Sequence, residues 1–151
     1  MMTPPVSRWL ASWPAPFTAE MAAERIAAAA QANADGRALL FVIERRQDAA
    51  PVGWIGVVRD QPVGDRGILG YWLGEAHQGH GYMREAAPAA MAAAFARLGL
   101  EMVEAAAQPE NAASFAVMHA CGMQPAGECM VFAPARGREE LCLRYEAVRP
   151  R

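Results

Sequence analysis

Apolar residues recur along the first half of the chain with two periods, one helical and one strand-like. An alanine-rich run begins after Thr18, whose hydroxyl can cap a helix, and stops before Gly36. This pattern predicts a helix over residues 19–34. Three short runs of aliphatic and aromatic residues follow, separated by polar segments, and predict an antiparallel meander of strands. The predicted strands are residues 39–43, 52–58 and 68–73.

The second half of the chain opens with the strongest helical period in the sequence. Apolar residues recur on one face from Met83 to Leu98, and Gly99 ends the predicted helix. Pro88 lies inside it and predicts either a bend or a later helix start, because proline cannot donate a backbone hydrogen bond. The remaining predicted elements are a strand over 101–107, a helix over 111–121 and strands over 127–133 and 139–147.

This order of elements predicts an α+β fold. The one strand-helix-strand crossover, from Leu69 to Met102, can place two strands side by side in parallel, while the other connections favour antiparallel pairs. Residues 1–17 show no period, so we expect an irregular segment that docks on the body through Trp9 and Trp13. With no repeat or linker, we expect one domain over residues 1–151.

Charge and composition exclude several classes of function. The formal net charge is −2 and no run of one sign occurs, so we expect no nucleic-acid partner. No apolar run approaches the roughly 20 residues that span a bilayer, and no secretory signal is evident, so we expect no membrane association. Three scattered cysteines in apolar stretches favour buried thiols in a reducing compartment, which predicts a cytoplasmic location.

The candidate chemistry lies where the third strand leads into the long helix. Glycines at 79 and 81 allow close backbone approach, and the start of a helix favours an anion. Two other phosphate loops fit poorly, because a Walker loop needs Gly-Lys-Ser/Thr and a dinucleotide loop needs a third glycine where Arg84 stands. The pattern therefore favours a different kind of pyrophosphate site.

The segment GYWLGEAHQGHGYMREA, residues 70–86, resembles the acetyl-CoA motif of the GNAT superfamily of N-acetyltransferases. Within that superfamily it is similar to the RimJ/RimL-like branch, which acetylates the N-termini of ribosomal proteins. Gln78 and Gly81 match the pyrophosphate pattern, whereas Met83 replaces a small residue. A second segment, from Pro109 to Met123, resembles the stretch that follows in the family, with a methionine at its end in place of the usual aromatic residue.

The resemblance implies an acetyl-CoA-dependent N-acetyltransferase in which a primary amine attacks the thioester directly. Ser114 is the implied catalytic residue, which protonates or hydrogen-bonds the departing thiolate. Asn111 is implied to contact the cofactor and to cap its helix. The other implied cofactor-binding residues are Tyr71, Trp72, Leu73, Gln78, Gly79, His80, Gly81, Tyr82 and Met83. A base must also deprotonate the amine, and spacing alone selects neither Glu75 nor Glu104.

Several alternatives stay open from the sequence. The acceptor implied by the resemblance is a protein N-terminal α-amine, and a small-molecule amine is the alternative. A catalytically silent acyl-CoA-binding module and a structural subunit with an exposed sheet edge are the rivals. The resemblance covers residues 9–147 and lacks the first strand-helix unit of the family. The absence of that strand leaves a sheet edge exposed, so a homodimer formed through this edge is a further expectation. The three histidines show no metal-ligand spacing, so we expect no metal.

Overall fold

A computed structural model describes residues 2–61 and 64–151 of the chain. A helical turn, α1, and a long helix, α2, precede three strands, and two further helices alternate with the last three strands. Their bounds are α1 Pro4–Ser7, α2 Ala19–Ala34, β1 Ala38–Glu44, β2 Pro51–Arg59, β3 Arg66–Leu73, α3 Tyr82–Leu98, β4 Met102–Ala107, α4 Ala112–Ala120, β5 Gln124–Ala133 and β6 Arg138–Val148.

The predicted helices and strands are confirmed in type and order. Thr18 accepts a hydrogen bond from the Met21 amide at 3.1 Å, which is the expected cap of α2. Helix α3 begins at Tyr82 and continues through Pro88, so a late helix start is wrong. The apolar face of α3 packs into the core, and this packing outweighs the one backbone hydrogen bond that Pro88 cannot make.

The N-terminal segment differs from the prediction in one respect. Residues 4–7 form a helical turn rather than irregular chain, because a proline at the first helical position already has the φ angle of a helix. Docking through Trp13 is confirmed, since its ring lies 5.4 Å from that of Trp54 and 5.1 Å from that of Trp72. The Arg8 guanidinium lies over the Trp9 ring, 4.2 Å from the ring centre.

The six strands found in the described residues form one sheet in the order β1-β2-β3-β4-β6-β5. Every neighbouring pair is antiparallel except β3 and β4, which are joined by the α3 crossover and run parallel. The α+β prediction and the predicted crossover are therefore confirmed.

The two faces of the sheet are covered differently. Helices α3 and α4 pack on one face and enclose an apolar core that includes Leu69, Val103 and Met118. The N-terminal segment crosses the other face, where Arg136 donates hydrogen bonds to the backbone oxygens of Ser7 and Leu10. No helix in the described ranges is both long and apolar enough to cross a bilayer.

Candidate active site

The sheet opens between its two parallel strands. In the part of the chain that the structure describes, β3 and β4 form three residue pairs, from Arg66–Met102 to Ile68–Glu104. Beyond this point β3 stays paired with β2 up to Leu73, while β4 follows β6 up to Ala107. The two strands therefore diverge and leave a cleft with backbone groups on both sides.

The glycine loop lies at the end of β3, where α3 begins. Gly79 and Gly81 have φ angles of +76° and +80°, a region that side chains disfavour, and an added Cβ would meet no atom within 4 Å at either position. The first backbone bond of α3 runs from the Glu85 amide to the Gly81 carbonyl. The preceding amides of α3 have no acceptor within the helix, so the loop presents donors and the positive helix end to an anion.

Ser114 lies in the first turn of α4 and contacts the third strand directly. The Tyr71 hydroxyl lies 2.7 Å from the Ser114 Oγ and also donates to the Ser114 backbone oxygen at 3.0 Å. Burial is the main cause that raises the pKa of Tyr71 to about 12, so its phenol keeps its proton at neutral pH. Asn111 caps α4, since its Oδ1 accepts the Ser114 amide at 3.3 Å.

The opposite side of the cleft carries charged residues. Glu104 accepts a hydrogen bond from Arg66 at 3.1 Å and lies 3.5 Å from the Arg144 guanidinium. Its carboxylate is 19% exposed and lies in the cleft wall. Glu75 occupies a separate, smaller pocket, where the Thr3 hydroxyl donates to it at 3.0 Å. Glu75 and Glu104 were the two candidates for the base, and of these Glu104 lies in the cleft.

The cleft is a cavity of about 660 Å³ lined by residues from both faces of the sheet, such as Met118 on the helix-covered side and Glu104 on the other. The residues singled out from the sequence that line it are Tyr71, Trp72, Leu73, Gln78, Met83, Asn111 and Ser114. The remaining ones do not line it: Gly79, His80 and Gly81 form the loop next to it, and Tyr82 begins α3. The structure thus brings the two separate motifs of the sequence to one site.

Some features of the cleft were missed by the sequence reasoning. The sequence pattern predicted the position of Tyr71 in a strand, but its bond to Ser114 joins residues 43 positions apart. Trp72 Nε1 and Arg144 Nε, both from cleft residues, are buried donors with no acceptor among the described residues. No local signal in the sequence predicted that Arg144 would line the cleft, because its position there depends on the pairing of β6 with β4.

A metal site has no candidate cluster within residues 2–61 and 64–151, where no three histidine, cysteine or acidic side chains converge. His80 stacks on Tyr82 in the glycine loop, and His119 packs against Tyr145 beneath α4. The expectation that the chain binds no metal therefore stays a prediction.

Comparison with known proteins identifies the family. The acetyltransferase (GNAT) domain family matches residues 1–124 of the chain. A relative described as uncharacterized N-acetyltransferase p20, from Bacillus licheniformis, is 29% identical over 104 residues. That match covers 69% of this chain and 58% of the relative, so the chain spans less than two thirds of that protein's length.

Solved structures share the fold. The ribosomal-protein-S5-alanine acetyltransferase of Vibrio fischeri matches with a TM-score of 0.76 at 24% identity, over 87% of this chain and 73% of that one. RimJ of Mycobacterium smegmatis, solved with CoA-disulfide, matches with a TM-score of 0.75 at 23% identity, over 85% and 61% of the two chains. The expected GNAT fold and its likeness to RimJ/RimL-like structures are therefore confirmed.

Proposed function

This chain belongs to the acetyltransferase (GNAT) domain family, and we propose that it transfers an acetyl group from acetyl-CoA to a primary amine. The observation that carries the proposal is the cleft between β3 and β4. Ser114 lies in the wall of this cleft on the helix-covered side, and the glycine loop lies next to the same wall. Donor and acceptor can enter such a cleft from opposite faces of the sheet and meet where the strands diverge.

The loop and the diverging strand fit the shape and charge of acetyl-CoA. Open space beyond Gly79 and Gly81 and the amides at the start of α3 suit a pyrophosphate. Along β3, the backbone of residues 69–73 faces the cleft without a partner strand on that side, so its polar groups can bind the amides of a pantetheine arm. Acetyl-CoA supplies the thioester whose carbonyl carbon the amine attacks.

Two groups of this chain can handle the protons of the reaction. The Ser114 hydroxyl donates a hydrogen bond to negative charge that develops on the departing sulfur. Tyr71 holds Ser114 through both its hydroxyl and its carbonyl, so it acts as a positioning residue. On the opposite wall, Glu104 accepts a proton from the ammonium group of the acceptor, directly or through water, and the free amine then attacks the thioester carbon.

The acceptor is the finer part of the proposal. The fold of this chain is shared with an enzyme whose name gives ribosomal protein S5 as its substrate, which supports a protein N-terminal α-amine. Such an acceptor would enter past the N-terminal segment, where Trp9 and Trp13 line the cleft. A small-molecule amine remains the alternative acceptor, and a panel of peptides and small amines would distinguish the two.

Acetyl-CoA binding is tested by thermal unfolding, with glycine variants at the two ends of α3 as a matched pair. Gly81 and Gly99 both have positive φ angles, and an added Cβ meets nothing within 4 Å at either position. Alanine therefore introduces similar backbone strain at both. At about 100 times its dissociation constant, acetyl-CoA should raise the Tm of the wild type by roughly 5–10 °C.

We expect Gly81→Ala to bind acetyl-CoA at least about 10-fold more weakly, because the strained residue displaces the loop amides. Gly99→Ala should keep the full ligand-induced shift. No shift in the wild type would overturn the proposal altogether. If acetyl-CoA raises the Tm but none of the amines in the panel causes release of CoA thiol, the chain would be a catalytically silent acyl-CoA-binding module.

A further inference from the structure

Two of the three cysteines face each other across the last hairpin. Cys129 on β5 and Cys142 on β6 are directly opposed partners in the antiparallel ladder, and both thiols are free. Directly opposed residues point to the same face of the sheet, with Cα atoms about 4.5–5.5 Å apart. A disulfide needs a Cα separation of about 4.4–6.8 Å, so the backbone already holds the pair at bonding distance.

The two thiols differ in their exposure to solvent, and this difference determines which of them reacts first. Both line the cleft, but Cys142 is 7% exposed whereas Cys129 is partly exposed. Burial, together with Cys129 and Glu140 nearby, raises the pKa of the Cys142 thiol, and Arg136 opposes that rise. A reagent therefore reaches the more exposed Cys129 first, and the buried Cys142 is the second thiol to react.

We propose that Cys129 and Cys142 form an oxidisable dithiol site that a hydroperoxide converts reversibly to a disulfide. The Cys129 sulfur attacks the peroxide O–O bond and becomes a sulfenic acid, and with hydrogen peroxide the other oxygen leaves as water. The Cys142 sulfur then attacks the Cys129 sulfur, the S–S bond forms, and the hydroxyl leaves as a second water. Two thiols are oxidised and one peroxide is reduced.

Cys121 provides an internal control within the same chain. It follows α4 on the helix-covered side of the sheet, whereas the dithiol belongs to the β5–β6 hairpin. Burial raises the pKa of Cys121 to about 11 and also raises that of Cys142, so the distinction is one of position: Cys121 is not part of the opposed pair in the hairpin. The structure therefore predicts that oxidation distinguishes the three cysteines: two become linked and one stays free.

The test treats the full chain with hydrogen peroxide in the absence of any cofactor and follows intact mass and the cysteine-containing peptides. We expect the loss of two hydrogen atoms per chain, a Cys129–Cys142 cross-link and recovery with dithiothreitol. Cys129→Ser and Cys142→Ser should each abolish the cross-link, and Cys121→Ser should retain it. A bridge to Cys121, oxygen adducts without a bridge, or no reaction would overturn the proposal.

A second probe tests the spacing without oxidation. Phenylarsine oxide binds two adjacent thiols at once, so we expect one equivalent to bind the wild type and Cys121→Ser. We expect neither Cys129→Ser nor Cys142→Ser to retain it. Binding that survives in either of those variants would contradict the paired site. Both readouts are independent of acetyl transfer, so they stand or fall separately from the proposed function.

Discussion

The two walls of the cleft differ in chemistry although they belong to one sheet. The helix-side wall carries the hydroxyls of Tyr71 and Ser114 against an apolar core. The opposite wall carries paired charges, with Glu104 between Arg66 and Arg144. A neutral hydroxyl can donate a proton to a leaving group, and a carboxylate can accept a proton from an ammonium group. The contrast therefore supports the proposal that the acetyl donor reacts at the helix-side wall and the amine is deprotonated at the opposite wall.

The largest effect is expected on the helix-side wall. Ser114→Ala removes the proposed proton donor, so kcat should fall on the order of 10³-fold. The Tyr71 hydroxyl keeps its bond to the residue 114 carbonyl, so the fold and acetyl-CoA binding should persist. Steady-state release of CoA thiol measures kcat, and Ala113→Ser provides a control that adds a hydroxyl one position away. A Ser114→Ala enzyme with nearly full kcat would remove this wall from the chemistry.

A somewhat smaller effect is expected on the charged wall. Glu104→Gln keeps the shape of the side chain but removes its charge, and kcat/KM should fall by about 10²-fold if the carboxylate takes the proton. Glu75→Gln is the matched control, because Glu75 lies in a separate pocket with Thr3. We expect the control to stay within a factor of about two. An equal loss in both variants would show that the charged wall has no special part in catalysis.

Tyr71→Phe sharpens the comparison by separating positioning from proton transfer. The variant loses hydrogen bonds to Ser114 worth about 1 kcal/mol, so kcat should fall by about 5-fold while KM for acetyl-CoA changes little. A loss as large as that of Ser114→Ala would instead make the phenol the proton donor.

The same variant has a second readout at alkaline pH. The pKa of Tyr71 is raised from 10.0 to about 12 in the folded chain, so the unfolded state ionises first and stability falls as the pH rises from 10 to 12. Cys121, whose pKa is raised to about 11, adds a similar loss between pH 9 and 11. Tyr71→Phe should lose less unfolding free energy between pH 11 and 12 than the wild type, as denaturant titrations would show.

The elements of the fold were predictable because the signals that define them are local. Thr18 and Gly36 bound one helix, Gly99 ends another, and strand runs alternate with polar turns. Helix α3 is the instructive exception: its sequence contains Pro88, yet tertiary packing of the apolar face holds the helix continuous.

The site was predictable only as far as its motifs are contiguous. The glycine loop and the start of α4 carry their own patterns, so Gln78 and Ser114 could be identified. Contacts that depend on strand register could not, since Tyr71 meets Ser114 and Cys129 meets Cys142 only when the sheet has formed. The choice between Glu75 and Glu104 likewise required the direction in which each side chain points.

The smallest effects concern Asn111, which has two proposed roles on the helix-side wall. Asn111→Ala removes the cap of α4 and should lower the unfolding free energy by about 1 kcal/mol. Asn111→Asp keeps an oxygen that accepts the Ser114 amide, so it should restore that stability while it removes the amide donor. If the donor binds acetyl-CoA, both variants should weaken binding by about 5-fold in calorimetric titrations. Normal affinity in Asn111→Asp would reduce Asn111 to a cap alone, and the helix-side wall would then act on the cofactor only through the glycine loop and Ser114.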